Sequence, residues 1–293
     1  MMTKQKDSKY FKVMHILEYI LMYVVLALLA IMILFPFYIM TVSSFKSYAE
    51  SLGEFTWWPK KFTVEAYSMI LGNNPYDIKL WRSLFNTLFI VIPPIFFSLT
   101  MSAMSAYTFA KRNFLGKKVL FAIMLSTMFL PGVATTVSSY LIFSDLGWVD
   151  TVLPLMVPSL FGGCGTVFFL RQFMFGIPTD LVEAARIDGM RHPGIFFKII
   201  VPLSVPALLT QGVLMFMGGY NDYMGPLIYL HSPEMETLQV TLQRLVGIMG
   251  DALGDNYPAM LAGSLVTLLP LIIIYIFAQK FFKAGIAVSG LKV

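Results

Sequence analysis

Six stretches of this 293-residue chain are long and apolar enough to cross a bilayer: roughly Leu17 to Met40, Leu84 to Ala110, Val119 to Phe143, Val152 to Phe175, Val205 to Leu230 and Pro258 to Phe282. A crossing helix needs about 20 apolar residues to cover about 30 Å of hydrocarbon, and each stretch meets that with some tilt. Backbone groups in lipid must be satisfied within the segment itself, which for runs of this length means α-helix. Composition agrees: 13% of the residues are charged, against roughly a quarter in a soluble globular protein. The expected fold is an all-α membrane protein with six transmembrane helices. Lys4, Lys6, Lys9 and Lys12 precede the first stretch in the manner of a signal peptide. That stretch runs well past the about 7 to 15 apolar residues of a secretory core, and no small-residue cleavage site follows, so it reads as a mature helix.

Charge sets the orientation. Placing residues 1–16 inside puts fifteen of the 21 Lys and Arg residues on the same side, and leaves Lys46, Lys60, Lys61, Lys79, Arg82 and Arg244 outside with Glu234, Glu236, Asp251 and Asp255. By the positive-inside rule both termini are cytoplasmic. The basic residues flank apolar segments, so the net charge of +5 reflects the bilayer and not nucleic acid. The expected organisation is a cytoplasmic segment 1–16, a membrane domain 17–282 and a cytoplasmic tail 283–293. Outer loops occupy 41–83, with Trp57 and Trp58 at headgroup level, and 231–257; an inner loop occupies 176–204.

Little in the chain carries chemistry. Cys164 is the one cysteine, which leaves no disulfide framework. His15, His192 and His231 are far apart and on differing sides, so no metal cluster is expected. No phosphate-cradling loop, H-E-x-x-H helix or nucleophile elbow occurs, so no catalytic residue and no cofactor is assigned to this chain. Breakers are frequent inside the spans, among them Pro93–Pro94, Pro131–Gly132, Pro154, Pro158, Gly162, Gly163, Gly218, Gly219 and Pro270. They read equally as kinks around a cavity and as the ordinary Gly and Pro content of membrane helices. Asn86, Thr87 and Gln211 read as interhelical hydrogen-bonding groups. Asp222, beside Asn221 and Tyr223, is the one carboxylate well inside a span. An ionisable group at that depth is a candidate for a substrate path; satisfying a helix end is the alternative.

The inner loop is the most informative segment. From Ile177 to Gly189 local rules predict a short helix, with Asp180 as N-cap, Glu183 completing a capping box, and Gly189 as the left-handed residue that ends it. A second short helix is expected after Pro193, giving a hairpin below the membrane, with Pro202 and Pro206 opening the fifth span. Leu181, Val182, Ile187 and Met190 offer apolar knobs, and Ala184 and Ala185 allow close approach of another backbone. Such a helix suits a groove in another protein, or lies on the bilayer surface.

The spacing Glu183-Ala184-Ala185, three residues, Gly189, nine residues, Ile199, one residue, Val201-Pro202 resembles the E-A-A-x3-G-x9-I-x-L-P signature of ABC-importer permeases. Val201 stands where Leu is usual and keeps the position apolar. The runs Gly147 to Thr151 and Asn221 to Ile228, and the terminal Lys283 to Ile286 with Ser289 to Lys292, look like the carbohydrate-uptake permeases, and more closely the smaller maltose-type subunit. That resemblance implies a permease subunit in the bacterial cytoplasmic (inner) membrane, paired with a homologous second permease. It further implies two ATP-binding subunits that hold ATP and Mg, an extracytoplasmic solute-binding protein and an oligosaccharide or related carbohydrate as substrate. In that family the loop forms coupling helices that sit in a cleft of the ATP-binding subunit, which makes Glu183, Ala184, Ala185, Asp188 and Gly189 the expected contact. Outer loop 231–257 would reach the binding protein and the tail the ATPase. The rival reading is an ion-coupled secondary carrier that works without an ATPase, with Asp222 as its ion site.

Overall fold

The computed structural model describes residues 3–72, 78–248 and 256–290, with side chains described from 14 to 279 outside those gaps. Asp251, Asp255 and Leu291 to Lys292 lie outside the described residues, as do the side chains of Lys4 to Lys12 and Lys283 to Ser289. The described residues form helices and connections without strands. The chain divides into two compact units, Met1–Pro75 with Val246–Val266, and Tyr76–Leu245 with Thr267–Val293.

In the first unit, helix α1 (Thr3–Ser44) carries the most apolar span, and its side chains from Met14 to Phe37 are exposed, as lipid contact allows. The chain after it folds back on the helix end. Phe45 stacks on Phe62 at 4.4 Å and meets Tyr67 at a tilt with centroids 5.1 Å apart, while Ser44 shares a 2.9 Å hydrogen bond with the Tyr67 hydroxyl. Buried Lys46 donates to the Thr56 carbonyl at 2.6 Å. The Glu50 carboxylate accepts from the Lys60 amide at 2.7 Å, and that bond chiefly holds its pKa below the usual carboxylate value. The connection 41–83, for which the sequence predicted no structure beyond Trp57 and Trp58, is therefore folded from 45 to 72.

In the second unit, helix α2 (Leu80–Lys111) is the hub. Its buried face reads Ser83, Thr87, Ile90 with Val91, Pro94, Ser98, Ser102, Ala106, Ala110, a repeat of three to four residues. Small residues dominate its C-terminal half, so neighbouring backbones come close. Gly162, at φ +86°, shows the closeness: a Cβ there would lie 2.4 Å from Ser102 Oγ. Helix α2 runs unbroken through Pro93 and Pro94.

The third apolar segment is not one straight span. It splits into α3 (Lys117–Ser126) and α4 (Gly132–Asp145), with a short 3-10 turn between, and the two halves are bent by 94°. The cause is Pro131, which forces Leu130 out of helical geometry to φ −74°, ψ 117°. Among the described residues five helices are thus long and apolar enough to cross, and the bent pair makes a sixth if counted as one span.

The fourth segment begins with short turns around Pro154 and Pro158 and continues as α5 (Cys164–Phe175). Then come α6 (Thr179–Ile187) and α7 (His192–Tyr220). The expected hairpin is corrected here: no separate second helix exists, because the helix that starts at His192, with Pro193 in its first turn, runs straight into the fifth span. Pro202 and Pro206 lie inside this helix. Pro202 has no N–H for the carbonyl of Lys198, and the turn Phe196–Ile200 just before it widens to a π-helix. The fifth span also ends early, at Tyr220, and Asn221 to Tyr223 form a break before α8 (Met224–Tyr229). Helix α9 (Leu238–Gly247) and α10 (Tyr257–Gly290) follow.

Candidate functional site

Helix α6 keeps two of its faces for different purposes. Val182 and Ala185, at 2% and 5% exposure, belong to one buried cluster with Ala103, Ala106 and Tyr107 of α2, Val167 and Leu170 of α5, and Ile195 and Ile200 of α7. Leu181 and Ile187 remain 44% and 87% exposed, and Glu183, Ala184, Asp188 and Gly189 are exposed with them. Two of the expected knobs, Val182 and Met190, and one of the expected contact residues, Ala185, therefore serve the chain's own core; Met190 packs partly buried against it. The outward surface is Leu181, Ala184 and Ile187, flanked by Glu183 and Asp188.

The two ends of α6 differ from and match the sequence expectation respectively. Asp180 is not the N-cap: Pro178 holds that position and the helix begins at Thr179, with no side-chain cap and no capping box to Glu183. Asp180 instead sits in the first turn, where its charge suits the positive end of the helix. Pro178 fits this start, because its fixed φ of −55° leads into the first turn. At the other end Gly189, at φ +79°, donates to the Arg186 carbonyl at 2.9 Å, and Met190 donates to the Ala185 carbonyl at 2.9 Å. This pair of bonds is a Schellman stop, and it requires the left-handed backbone that glycine adopts without strain. Lys111 adds a clasp from the end of α2, its ammonium donating to the carbonyls of Phe175 and Ile177 where α5 turns toward α6. Arg171 does similar work from α5, with its guanidinium 4.3 Å from the Phe121 ring and Nε donating to the Phe109 carbonyl. Sequence reasoning assigned neither residue; each is basic at a span end, which reads as topology until the carbonyls beside it are known.

At the opposite end of the second unit, Asn221, Asp222 and Tyr223 lie together in the break after α7, and they do different things. Asn221 donates through Nδ2 to the Met217 carbonyl at 2.8 Å and accepts from Gln239 at 3.4 Å. Asp222 Oδ1 accepts from the Gly225 amide at 3.1 Å and so satisfies an amide in the first turn of α8, whose N-cap position is Tyr223. Asp222 also lines a cavity of ≈ 240 Å³ with Thr87, Val91, Leu155, Ser159 and Thr237. The Thr237 hydroxyl is buried there with no hydrogen-bond partner among the described residues. Tyr223 is not part of that lining.

The connection after α8 is pinned to α2 by residues read from sequence as interhelical glue. Asn86 donates to the carbonyls of Glu234 and Glu236 at 2.8 and 3.0 Å, and Thr87 Oγ1 accepts from the Leu238 amide at 2.8 Å. Glu236 pairs with Arg244 at 2.9 Å. Asp150, in a connection at φ +59°, accepts from the amides of His231 and Ser232 at 2.8 Å each and from the Ser232 hydroxyl at 2.6 Å. This role for Asp150 was invisible in sequence because its partners stand some eighty positions away.

Similarity to known proteins agrees with this architecture. Residues 98–287 match the family described as binding-protein-dependent transport system inner membrane component. The chain is 34% identical over 276 residues to the arabinooligosaccharides transport system permease protein AraQ of Bacillus subtilis, covering 90% of this chain and 92% of that protein. It is 29% identical over 284 residues to the polygalacturonan/rhamnogalacturonan transport system permease protein YtcP of the same organism, covering 93% and 97%. A crystal structure of a bacterial ABC transporter involved in import of the acidic polysaccharide alginate contains a chain that aligns at a TM-score of 0.79 and 25% identity, over 90% of this chain and 95% of that one. Helices packed about α2, a loop helix tied into their core and a match over most of the length together make this chain a member of the binding-protein-dependent transport system inner membrane component family.

Proposed function

We propose that this permease is the smaller, maltose-type membrane subunit of an ATP-driven importer for an oligosaccharide or related carbohydrate. A homologous second permease completes the translocation path, two ATP-binding subunits supply ATP and Mg, and an extracytoplasmic solute-binding protein delivers the sugar. Both termini are cytoplasmic, in accord with the placement of the basic residues. Support for the sugar class comes from the relatives, which are transport permeases for arabinooligosaccharides and for polygalacturonan and rhamnogalacturonan.

The observation that carries the coupling step is the division of α6 between two surfaces. Its inner face shares one buried cluster with α2, α5 and α7. Close-packed interiors transmit displacement instead of absorbing it. A push delivered by an ATP-binding subunit to Leu181, Glu183, Ala184, Ile187 and Asp188 therefore moves α2, α5 and α7 together and turns the path from one side to the other. Asp222, with Asn221 beside it, lies at the opposite end of the second unit; the Asp222 carboxylate and the Thr237 hydroxyl, unpaired among the described residues, are suited to sugar hydroxyls.

The test is transport in proteoliposomes that hold the whole complex. Glu183→Lys inverts the charge on the outward face, and Gly189→Pro removes both the left-handed stop and an N–H that donates to Arg186. Each is expected to let the subunit assemble while ATP hydrolysis no longer drives uptake. Normal coupled transport by both would sink the coupling role. Uptake driven by an ion gradient without ATP would favour the secondary carrier instead.

A further inference from the structure

At the end of the spans that carries α6, two cavities meet side by side on the face shared by α2 and α7. The first, ≈ 360 Å³, has Tyr107, Arg112 and His192 at its rim and Phe196 and Phe197 in its wall. The second, ≈ 240 Å³, shares Phe196 and Phe197 and continues along α2 past Thr100 and Leu99 to Phe96. From Arg112 to Phe96 the helix advances about 24 Å at about 1.5 Å per residue. That exceeds the roughly 15 Å depth of one leaflet's hydrocarbon. The groove is thus basic where the headgroups lie and apolar over the length of an acyl chain.

The charges at its mouth lack a counter-ion. Arg112 stands on the rim of the first cavity, and Arg186 follows Val182 by one turn of α6, on the side of that helix that packs with Tyr107 and Ile195, so both guanidiniums belong to the same end of the groove. Neither forms an ion pair among the described residues, and no carboxylate lines either cavity. The Thr100 and Thr108 hydroxyls are already spent on the carbonyls of Phe96 and Met104. Two like charges at a membrane face call for an anion, and guanidinium groups match phosphate oxygens in pairs. A free anion would answer the charges and leave the aromatic arm without an occupant; a lipid answers both, and basic pockets between spans recognise acidic headgroups.

We propose that this groove binds an anionic phospholipid, with its phosphodiester between Arg112 and Arg186 beside His192 and one acyl chain laid along Phe196, Phe197 and Leu99. The binding fastens a lipid to the same buried cluster that holds α6, so lipid composition would bear on the loop helix.

The test uses the intact complex that co-purifies with this chain, placed in nanodiscs with equal amounts of phosphatidylglycerol and phosphatidylcholine. Lipids kept on release are identified by native mass spectrometry. Phosphatidylglycerol is expected to be retained over phosphatidylcholine, and the double variant R112Q/R186Q to lower its retention by about 30-fold. The double variant R112K/R186K should keep the preference, and Leu99→Trp, which fills the apolar arm, should weaken retention of both lipids. Equal retention of the two lipids by the unaltered complex would overturn the proposal, independently of any variant. So would unchanged retention in R112Q/R186Q, or complete displacement of phosphatidylglycerol by inorganic phosphate, which would make the site one for a free anion. A photo-crosslink from position 197 to a neighbouring protein subunit, with no lipid retained, would assign the groove to that subunit and likewise overturn it.

Discussion

Asp150 concentrates in one side chain three of the bonds that hold the chain reversal between Tyr229 and Pro233. It stands at φ +59°, a backbone region that aspartate tolerates better than most residues. The Ser232 hydroxyl, the Ser232 amide and the His231 amide, in that order, hold its pKa below the ordinary carboxylate value. A depressed carboxylate adds stability that is present above the unfolded pKa, about 3.9, and disappears as pH falls through the lower folded value. The thermal midpoint of the complex should therefore be insensitive to this group from neutral pH down to about 4 and should fall on further acidification. In Asp150→Asn, which keeps the backbone conformation and loses the charge, the midpoint should be lower at neutral pH, and its difference from the unaltered protein should shrink in acid. A difference that stays constant through that range would remove the charge from the explanation. Nothing local in Gly147 to Thr151 reveals this role, because a hydrogen-bonding partner some eighty residues away leaves no trace in the spacing around either.

At the scale of the element, α6 shows what periodicity can and cannot say. Residues 181, 184 and 187 share one helical face and 182 with 185 another, which the three-residue spacing predicts. Both faces are apolar or small, so spacing alone could not say which of them the chain buries. The core partners decided it: Ala106, Leu170 and Ile195 leave room for Val182 and Ala185. Two substitutions separate the faces. Ala185→Leu overpacks a filled site and is expected to cost about 1–3 kcal/mol of stability. Ala184→Leu, on the exposed face, should change stability by no more than roughly 0.5 kcal/mol and still reduce sugar taken up per ATP hydrolysed. Thermal unfolding and coupled transport of the two variants check this, and the reverse ranking would mean that the face assignment is wrong. The helix stop was legible because Gly189 is a conformational requirement carried by the residue itself. Its start was not: Asp180 has the chemistry of a cap, yet Pro178 preorganised the chain two residues sooner.

For the molecule as a whole, orientation is the property that charge counting predicts and labelling checks. Cys164 is the sole cysteine, with Sγ 3.1 Å from Thr127 Oγ1, so Cys164→Ser supplies a background without competing thiols. In that background Leu115→Cys, in the fully exposed turn between α2 and α3, should resist a membrane-impermeant maleimide added to intact cells and react after lysis. Lys60→Cys, in the exposed connection after α1, should react in both. The opposite pattern would reverse the topology, put α6 on the side away from the cytoplasm and so overturn the proposed coupling role.

The sequence by itself determined that the chain is helical and membrane-spanning, because apolar length and scarce charge leave lipid as the solvent and helix as the backbone's remedy. It also determined the family, through a signature whose spacing is carried in the chain order. Tertiary structure decided where the third segment bends, where the fifth begins and ends, which side of α6 is free, and that Asp150, Lys111 and Arg171 hold connections together. Those outcomes depend on groups distant in sequence competing for the same buried space and the same unpaired carbonyls and amides. Hydropathy averages over a window and cannot resolve that competition.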